Sequence, residues 1–207
     1  MYPLYTLAEL RHIEKIAELA GIDLMQRAAR SIADWISQHY QPNSPILFAC
    51  GTGNNGGDAI WAALNLHARD YQVTLLIPQP IKSPASLKAL ALCKAEGIAI
   101  IDQLSLITIQ PALLVDGLFG IGLDITLSDT WQTFINTLNK LALPTLAIDT
   151  PSGLDAYSGE IYGTAIKAST TLTFLGDKPA LHQKQGMTLS GHVIVDPLDL
   201  PKHLRPH

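Results

Sequence analysis

The stretch Gly51-Thr52-Gly53-Asn54-Asn55-Gly56-Gly57-Asp58 concentrates the residue types able to do chemistry in this chain. A glycine-rich turn between a strand and a helix cradles phosphate. Its small residues let the anion approach the backbone N–H groups, and the helix N-terminus favours negative charge. Such a cradle needs no amide or carboxylate side chains. Asn54, Asn55 and Asp58 are therefore additional, and point to chemistry or to a bound cation. Two further acids end apolar runs. Asp116 closes Leu113-Leu114-Val115 and leads into Gly117-Leu118-Phe119-Gly120-Ile121-Gly122. Asp149 closes Thr145-Leu146-Ala147-Ile148 and leads into Thr150-Pro151-Ser152-Gly153. In an open α/β sheet, ligands bind beyond the carboxyl ends of the strands, so all three polar loops are expected at one edge.

Each piece alone has a plainer reading. Asn54-Asn55 can be a turn, Asp58 a helix cap, Asp116 a solvated loop acid and Ser152 a turn residue. Convergence is what favours a site. Oxygen ligands from Asn55, Asp116 and Ser152 suit a hard cation, and one acid among neutral oxygens favours a monovalent ion over Mg²⁺ or Zn²⁺. The spacing Gly51-x-Gly53-x-x-Gly56 satisfies the dinucleotide fingerprint. The second strand, however, ends Ile77-Pro78-Gln79-Pro80, without the acid that holds a ribose hydroxyl. That argues against a hydride-transfer dehydrogenase. A nucleotide-phosphate kinase would want Gly-x-x-x-x-Gly-Lys-Ser/Thr, and the chain has no such lysine. The seven histidines show no metal-ligand spacing.

The elements that must position these loops are legible from periodicity. Thr6 and Glu9 form a capping box ahead of Leu10, Ile13, Ala17 and Ala20 at helical spacing, and Gly21 stops that helix. Asp23 and Gln26 open a second helix carrying Leu24, Ala28, Ile32, Trp35 and Ile36 on one face. Strand 46–50 precedes the glycine loop, and a helix is predicted from Ala59 to Ala68. A strand at 73–77 follows, then a helix begun by Ser83-Pro84 and ended by Gly97, then a short strand at 98–101. Strand 113–116 is followed by a helix capped by Ser128, in which Trp131 and Phe134 read as core. Strands at 145–148, 170–174 and 192–195 complete the pattern. Residues 197–207 carry three prolines and read as a tail or linker.

The strands are continuous apolar runs, as expected when both faces are buried. Alternation with helices predicts an α/β fold, a Rossmann-like three-layer αβα sandwich with a mainly parallel sheet and N-terminal helices. At 207 residues, the chain is expected to form a single domain over 1–207. Apolar residues make up 47% and charged residues 15%, enough for a core that needs no metal or disulfide staple. Net charge is −4 and no Lys/Arg cluster stands out, so no nucleic acid is expected as partner. Cys50 and Cys93 fall in predicted buried elements and read as core thiols of a reducing compartment. The N-terminus lacks a basic-then-apolar signal, and no apolar run reaches the ~18 residues of a membrane span. The expected location is the cytoplasm, with no membrane association.

Taken together, the motifs resemble the NAD(P)H-hydrate epimerase family, the YjeF N-terminal domain. Its approximate pattern is G-P-G-N-N-G-G-D-G, D-x-x-x-G-T-G and I-D-x-P-S-G, matched here by Gly51 to Ala59, Asp116 to Gly122 and Ile148 to Gly153. Gly21-Ile22-Asp23-Leu24-Met25-Gln26-Arg27-Ala28 is similar to the family's G-x-x-L-M-E-x-A, and the likeness reaches Thr171-Leu172-Thr173-Phe174 and Lys178. Departures are Thr52 for Pro, Ala59 for Gly, Ile121 for Thr, Thr150 for Ile and Gln26 for Glu. None removes a polar residue assigned to substrate or ion, though Ile121 lacks a hydroxyl near the presumed phosphate loop.

The resemblance implies an isomerase that epimerises the R and S hydrates of NADH and NADPH (NADHX and NADPHX) at nicotinamide C6. That repair supports an ADP/ATP-dependent NAD(P)HX dehydratase. It implies substrate binding by Asn54, Asn55, Gly56, Gly57 and Asp58, and by Gly120, Ile121, Gly122, Leu123, Asp124, Ile125 and Thr126. The resemblance further implies that Asp149 contacts the substrate, that Asn55, Asp116 and Ser152 hold one K⁺ per subunit, and that the protein is a homodimer. Our mechanistic expectation is elimination and re-addition of the C6 hydroxyl. Asp149 serves as the catalytic acid and base, and Asp58 as a second group. The alternative is a non-catalytic nucleotide-binding or scaffold module on the same fold, as in eukaryotic mRNA-decay scaffolds. The intact Asn-Asn-Gly-Gly-Asp motif counts against it.

Overall fold

The computed structural model describes residues 3–204. Thr6 opens α1 (Leu7–Leu19) with the expected capping box, its hydroxyl accepting from Glu9 N while the Glu9 carboxylate accepts from Thr6 N. Asp23 caps α2 (Leu24–His39) by accepting from Gln26 N at 3.0 Å. Satisfying the free N–H groups of a first turn is what sets these starts. Gly21, at φ +71°, makes the bend between the two helices.

Seven strands form one all-parallel sheet. They are β1 (Pro45–Cys50), β2 (Gln72–Leu76), β3 (Ala99–Ile101), β4 (Leu113–Gly117), β5 (Thr145–Ile148), β6 (Thr170–Phe174) and β7 (His192–Asp196). Their order across the sheet is β3-β2-β1-β4-β5-β6-β7. The remaining helices are α3 (Asn54–His67), α4 (Pro84–Ala95), α5 (Asp129–Lys140) and α6 (Lys184–Leu189). Strand order reverses between β1 and β4, where the connections leave in opposite directions and open a crevice. Register places Ala49 beside Asp116 and Cys50 beside Gly117, so the loops after β1 and β4 start level with each other.

Alternate strand residues feed two cores. Ile46, Phe48, Cys50, Val73, Leu75, Val115 and Ile148 pack with residues of α1, α2, α3 and α4. Leu47, Ala49, Leu76 and Leu114 pack on the other face with Ile135 and Leu138 of α5. This is the three-layer sandwich that the continuous apolar runs predict. Cys50 and Cys93 are free and buried, as expected.

Two differences from the sequence reading matter. The helix after β1 begins at Asn54 rather than Ala59, so Asn54 to Asp58 belong to it and its N-cap is Gly53. Asp58 is therefore not a cap. Glycines usually weaken a helix, and that masked its start. Here they serve close packing: a Cβ on Gly56 would lie 1.9 Å from the Gly51 carbonyl oxygen. The second difference is the segment from Pro197, read as tail or linker. Up to Leu204 it lies against the body. Leu198 and Leu200 are buried, and Arg27 donates at 2.8 Å to the carbonyls of Leu198 and Asp199. Residues 205–207 lie outside the described residues.

Candidate active site and cation site

A cleft of about 1150 Å³ opens over the carboxyl ends of β1, β4 and β5. Thr52 to Asn55 and Asp58 line one side, and Phe119 to Leu123 a second. Asp149, Phe174 and Lys178 lie at its base, while Arg11, Glu14, Lys15 and Glu18 of α1 form the facing wall. The N-terminus of α3 thus opens into the cleft with unsatisfied N–H groups, a ready anion site.

Most of the expected residues come together here. Asn54 is exposed, Asn55 buried and Asp58 half-buried. Gly120, Ile121, Gly122 and Leu123 line the cleft; Asp124, Ile125 and Thr126 are exposed beyond its lining. Gly56 and Gly57 face the interior. A Cβ on Gly57 would lie 2.6 Å from the Ser86 hydroxyl and 2.8 Å from Met25 Cε, so the residue lets α2, α3 and α4 close up.

Asp149 ends β5 with φ +66°, a left-handed conformation that costs a non-glycine residue ~1–3 kcal/mol. Its N–H donates to the Leu172 carbonyl at 2.8 Å. Its Oδ1 accepts from Lys178 Nζ at 2.7 Å, Thr173 Oγ1 at 3.1 Å and Phe174 N at 3.2 Å. Its Oδ2 accepts no hydrogen bond from the described residues. The Lys178 side chain is 0% exposed and that of Asp149 13%. Across the cleft, burial first, and then the charges of Asp149, Glu14 and Asp23, push the Asp58 carboxyl well above the usual carboxylate range. Burial, then Asp149, raise Glu14 as well. The site therefore sets a carboxylate paired with lysine against carboxyls that favour their protons.

Asn55, Asp116 and Ser152 form a second, deeper cluster. Asp116 is fully buried. Its Oδ1 accepts from Ser152 Oγ at 2.6 Å, and its Oδ2 from Ser152 N at 2.8 Å. Phe119 links the set, donating its N–H to Ser152 Oγ at 2.9 Å and accepting from Asn55 Nδ2 at 3.1 Å. Burial pushes Asp116 up to about 6 despite the hydrogen bonds from Ser152 and Leu118 that pull it down. Among the described residues no cationic side chain pairs with it. A buried carboxylate ringed by amide, hydroxyl and carbonyl oxygens fits a hard cation of low charge.

Sequence reasoning gave no role to Lys178, Thr173, Arg11 or Glu14. A lysine after a strand reads as a surface charge, and only tertiary packing buries this one. The α1 residues carry no motif; they meet the cleft only because the helix is folded over it.

Residues 21–180 match the family model of the YjeF-related protein N-terminus. The chain belongs to this family. Among its relatives is the NAD(P)H-hydrate epimerase of Bordetella pertussis (strain Tohama I), 39% identical over 180 residues, 84% of this chain and 78% of that protein. The NAD(P)H-hydrate epimerase of Leuconostoc citreum is 35% identical over 208 residues, 95% of this chain and 90% of that protein. The crystal structure of yeast ynu0, YNL200c, shares the fold, with a TM-score of 0.83 over 98% of this chain and 91% of that one at 17% identity. The matched region spans the strands that carry the site loops, β1, β4, β5 and β6. Among the described residues no helix is long and apolar enough to cross a membrane.

Proposed function

We propose that this protein is an NAD(P)H-hydrate epimerase, interconverting the R and S forms of NADHX and NADPHX at nicotinamide C6. The observation that carries the reading is the juxtaposition in one cleft of an α3 N-terminus with open N–H groups and Asp149, one of whose carboxylate oxygens accepts no hydrogen bond from the described residues. The first suits the phosphates of a dinucleotide, and the second suits proton transfer at the ring. Sequence relatives bearing that name over most of both chains support the same substrate.

The chemistry balances with two carboxyl groups. The ring nitrogen lone pair expels the C6 hydroxyl as the C6–O bond breaks, and an acid supplies the proton that makes the leaving group water. A second water adds to the opposite face of the conjugated iminium and gives its proton to a base. We assign the acid to Asp58, whose surroundings favour its neutral form, and the base to the Asp149 carboxylate; in the reverse direction the two exchange roles. The paired, negative Asp149 also opposes the positive charge of the iminium. Asn55, Asp116 and Ser152 would hold K⁺, which when bound supplies a fixed positive charge that neutralises Asp116 and ties the loop after β4 to the loop after β5. A homodimer acting beside an NAD(P)HX dehydratase in the cytoplasm completes the proposal.

The test follows the ratio of S- and R-NADPHX by chromatography after adding the protein, with and without K⁺. Equilibration faster than the spontaneous rate supports the epimerase. No acceleration points to a binding module on a retained fold. In Asp149→Asn, turnover should drop by ~10²-fold or more with the fold kept. A near-wild-type rate in that variant removes Asp149 from the mechanism.

A further inference from the structure

We propose that Lys178, together with Thr173, is the positioning residue that keeps Asp149 a carboxylate and reserves its Oδ2 for the substrate. The inference rests on the epimerase reading and goes beyond it, because it explains how one acid in a crowded cleft is set apart from the others.

Three donors converge on Asp149 Oδ1: Lys178 Nζ, Thr173 Oγ1 and Phe174 N, at 2.7, 3.1 and 3.2 Å. An sp² oxygen with three donors has no room for a fourth partner, so the substrate can meet only Oδ2. Lys178 Nζ is itself held by the Thr173 hydroxyl at 2.6 Å and the Phe174 carbonyl at 3.2 Å, with the Gly176 carbonyl at 3.4 Å. Thr173 thus accepts from the lysine and donates to the acid, which fixes the direction of every proton in the chain. An ammonium with no exposed surface survives only when its charge is paired and its donors are used.

The groups around Asp149 show what the lysine must offset. Glu14 on α1, Asp58 on α3 and the Tyr157 phenol in the loop after β5 all interact with its charge. Arg11 on α1 acts on Glu14 and Tyr157, and Asp177 beside Lys178 is engaged by His182 at 2.8 Å. Glu14, Asp58, Asp177 and Tyr157 bring no positive charge to Asp149, so Lys178 is the cation at hydrogen-bond distance that compensates its carboxylate, and replacing it leaves that charge uncompensated in a partly buried position. The plainer reading is that Lys178 merely ties the loop after β6 to the end of β5. That reading predicts lost stability, but no change in how the rate depends on pH.

The experiment measures kcat/KM for epimerisation of NADPHX from acid to alkaline pH in wild type, Lys178→Met, Lys178→Arg, Thr173→Val and Asp149→Asn. Folding is checked by thermal melts. Removing an opposite charge at contact distance moves such profiles by ~1–3 pH units. In Lys178→Met the acid limb should therefore move up by ~1–3 units, with activity recovering toward alkaline pH, while Lys178→Arg keeps the limb near wild type. Thr173→Val should move it in the same direction by less. An unshifted acid limb in folded Lys178→Met overturns the proposal. If Lys178→Met does not fold, an unshifted limb in Thr173→Val does so instead. A fully active Asp149→Asn brings down the epimerase assignment of Asp149 itself, an outcome separate from the first two.

Discussion

If Asn55, Asp116 and Ser152 hold K⁺ as proposed, removing it should destabilise this protein, and only above about pH 6, where Asp116 is charged. Asp116 is fully buried, and its carboxyl is raised from 3.8 to about 6. Two units at ~1.4 kcal/mol each amount to about 3 kcal/mol. The folded value lies above the unfolded one, so the neutral acid contributes stability that is complete below about pH 4 and lost as pH rises through about 6. A cation held by Asn55, Asp116 and Ser152 offsets that loss by compensating the buried charge. For a chain of this length, ~2–4 °C per kcal/mol converts the effect into a difference of roughly 6–12 °C in Tm. The assay compares thermal melts in potassium chloride and tetramethylammonium chloride at equal ionic strength, which cancels general screening. At about pH 7.5 the K⁺ sample should melt higher, and at about pH 4.5 the two should coincide. Asp116→Asn should abolish the gap at about pH 7.5. A gap that persists in that variant, or one that is the same at both pH values, refutes the reasoning.

Other expectations follow from single contacts. Asp58→Asn should raise Tm at alkaline pH, because its surroundings disfavour the carboxylate, while lowering turnover, because the amide cannot supply the proton assigned to Asp58; a lower Tm contradicts this. Gly56→Ala should cost ~3 kcal/mol or more in denaturant melts, the upper end for overpacking, because the new Cβ meets the Gly51 backbone and not a yielding side chain. Arg27→Ala should cost about 1–2 kcal/mol, and hydrogen exchange should quicken at Leu200 if the carbonyls of Leu198 and Asp199 depend on that guanidinium. Thr6→Ala should fray α1 by ~1 kcal/mol, read as faster exchange at Glu9 and Leu10 with β1 unchanged.

The sequence by itself determined the layers of the fold, the edge of the sheet where the chemistry collects and most of the residues found there. Continuous apolar runs such as Ile46 to Cys50, too short for a helix and bounded by turn residues, read as strands covered on both faces, and a strand that ends in Asp116 or Asp149 delivers its acid to the carboxyl edge. Caps at Thr6 and Asp23 were legible because they are local: donor and acceptor lie three residues apart. The start of α3 was not, since Gly56 and Gly57 speak against a helix until the Gly51 backbone and Met25 are seen pressed against them. Nor was the fate of Pro197 to Leu204, which is tied to the body partly through a hydrogen bond from Arg27 to the Leu198 carbonyl, 171 residues away. Tertiary structure alone decided the electrostatics. Lys178 lies 29 residues from Asp149 in the chain and 2.7 Å away in space. Asp116 and Ser152 are 36 residues apart and hydrogen-bonded at 2.6 Å. Whether a carboxyl holds its proton depends on the charges and the water around it, and those are set by parts of the chain that no local spacing brings together.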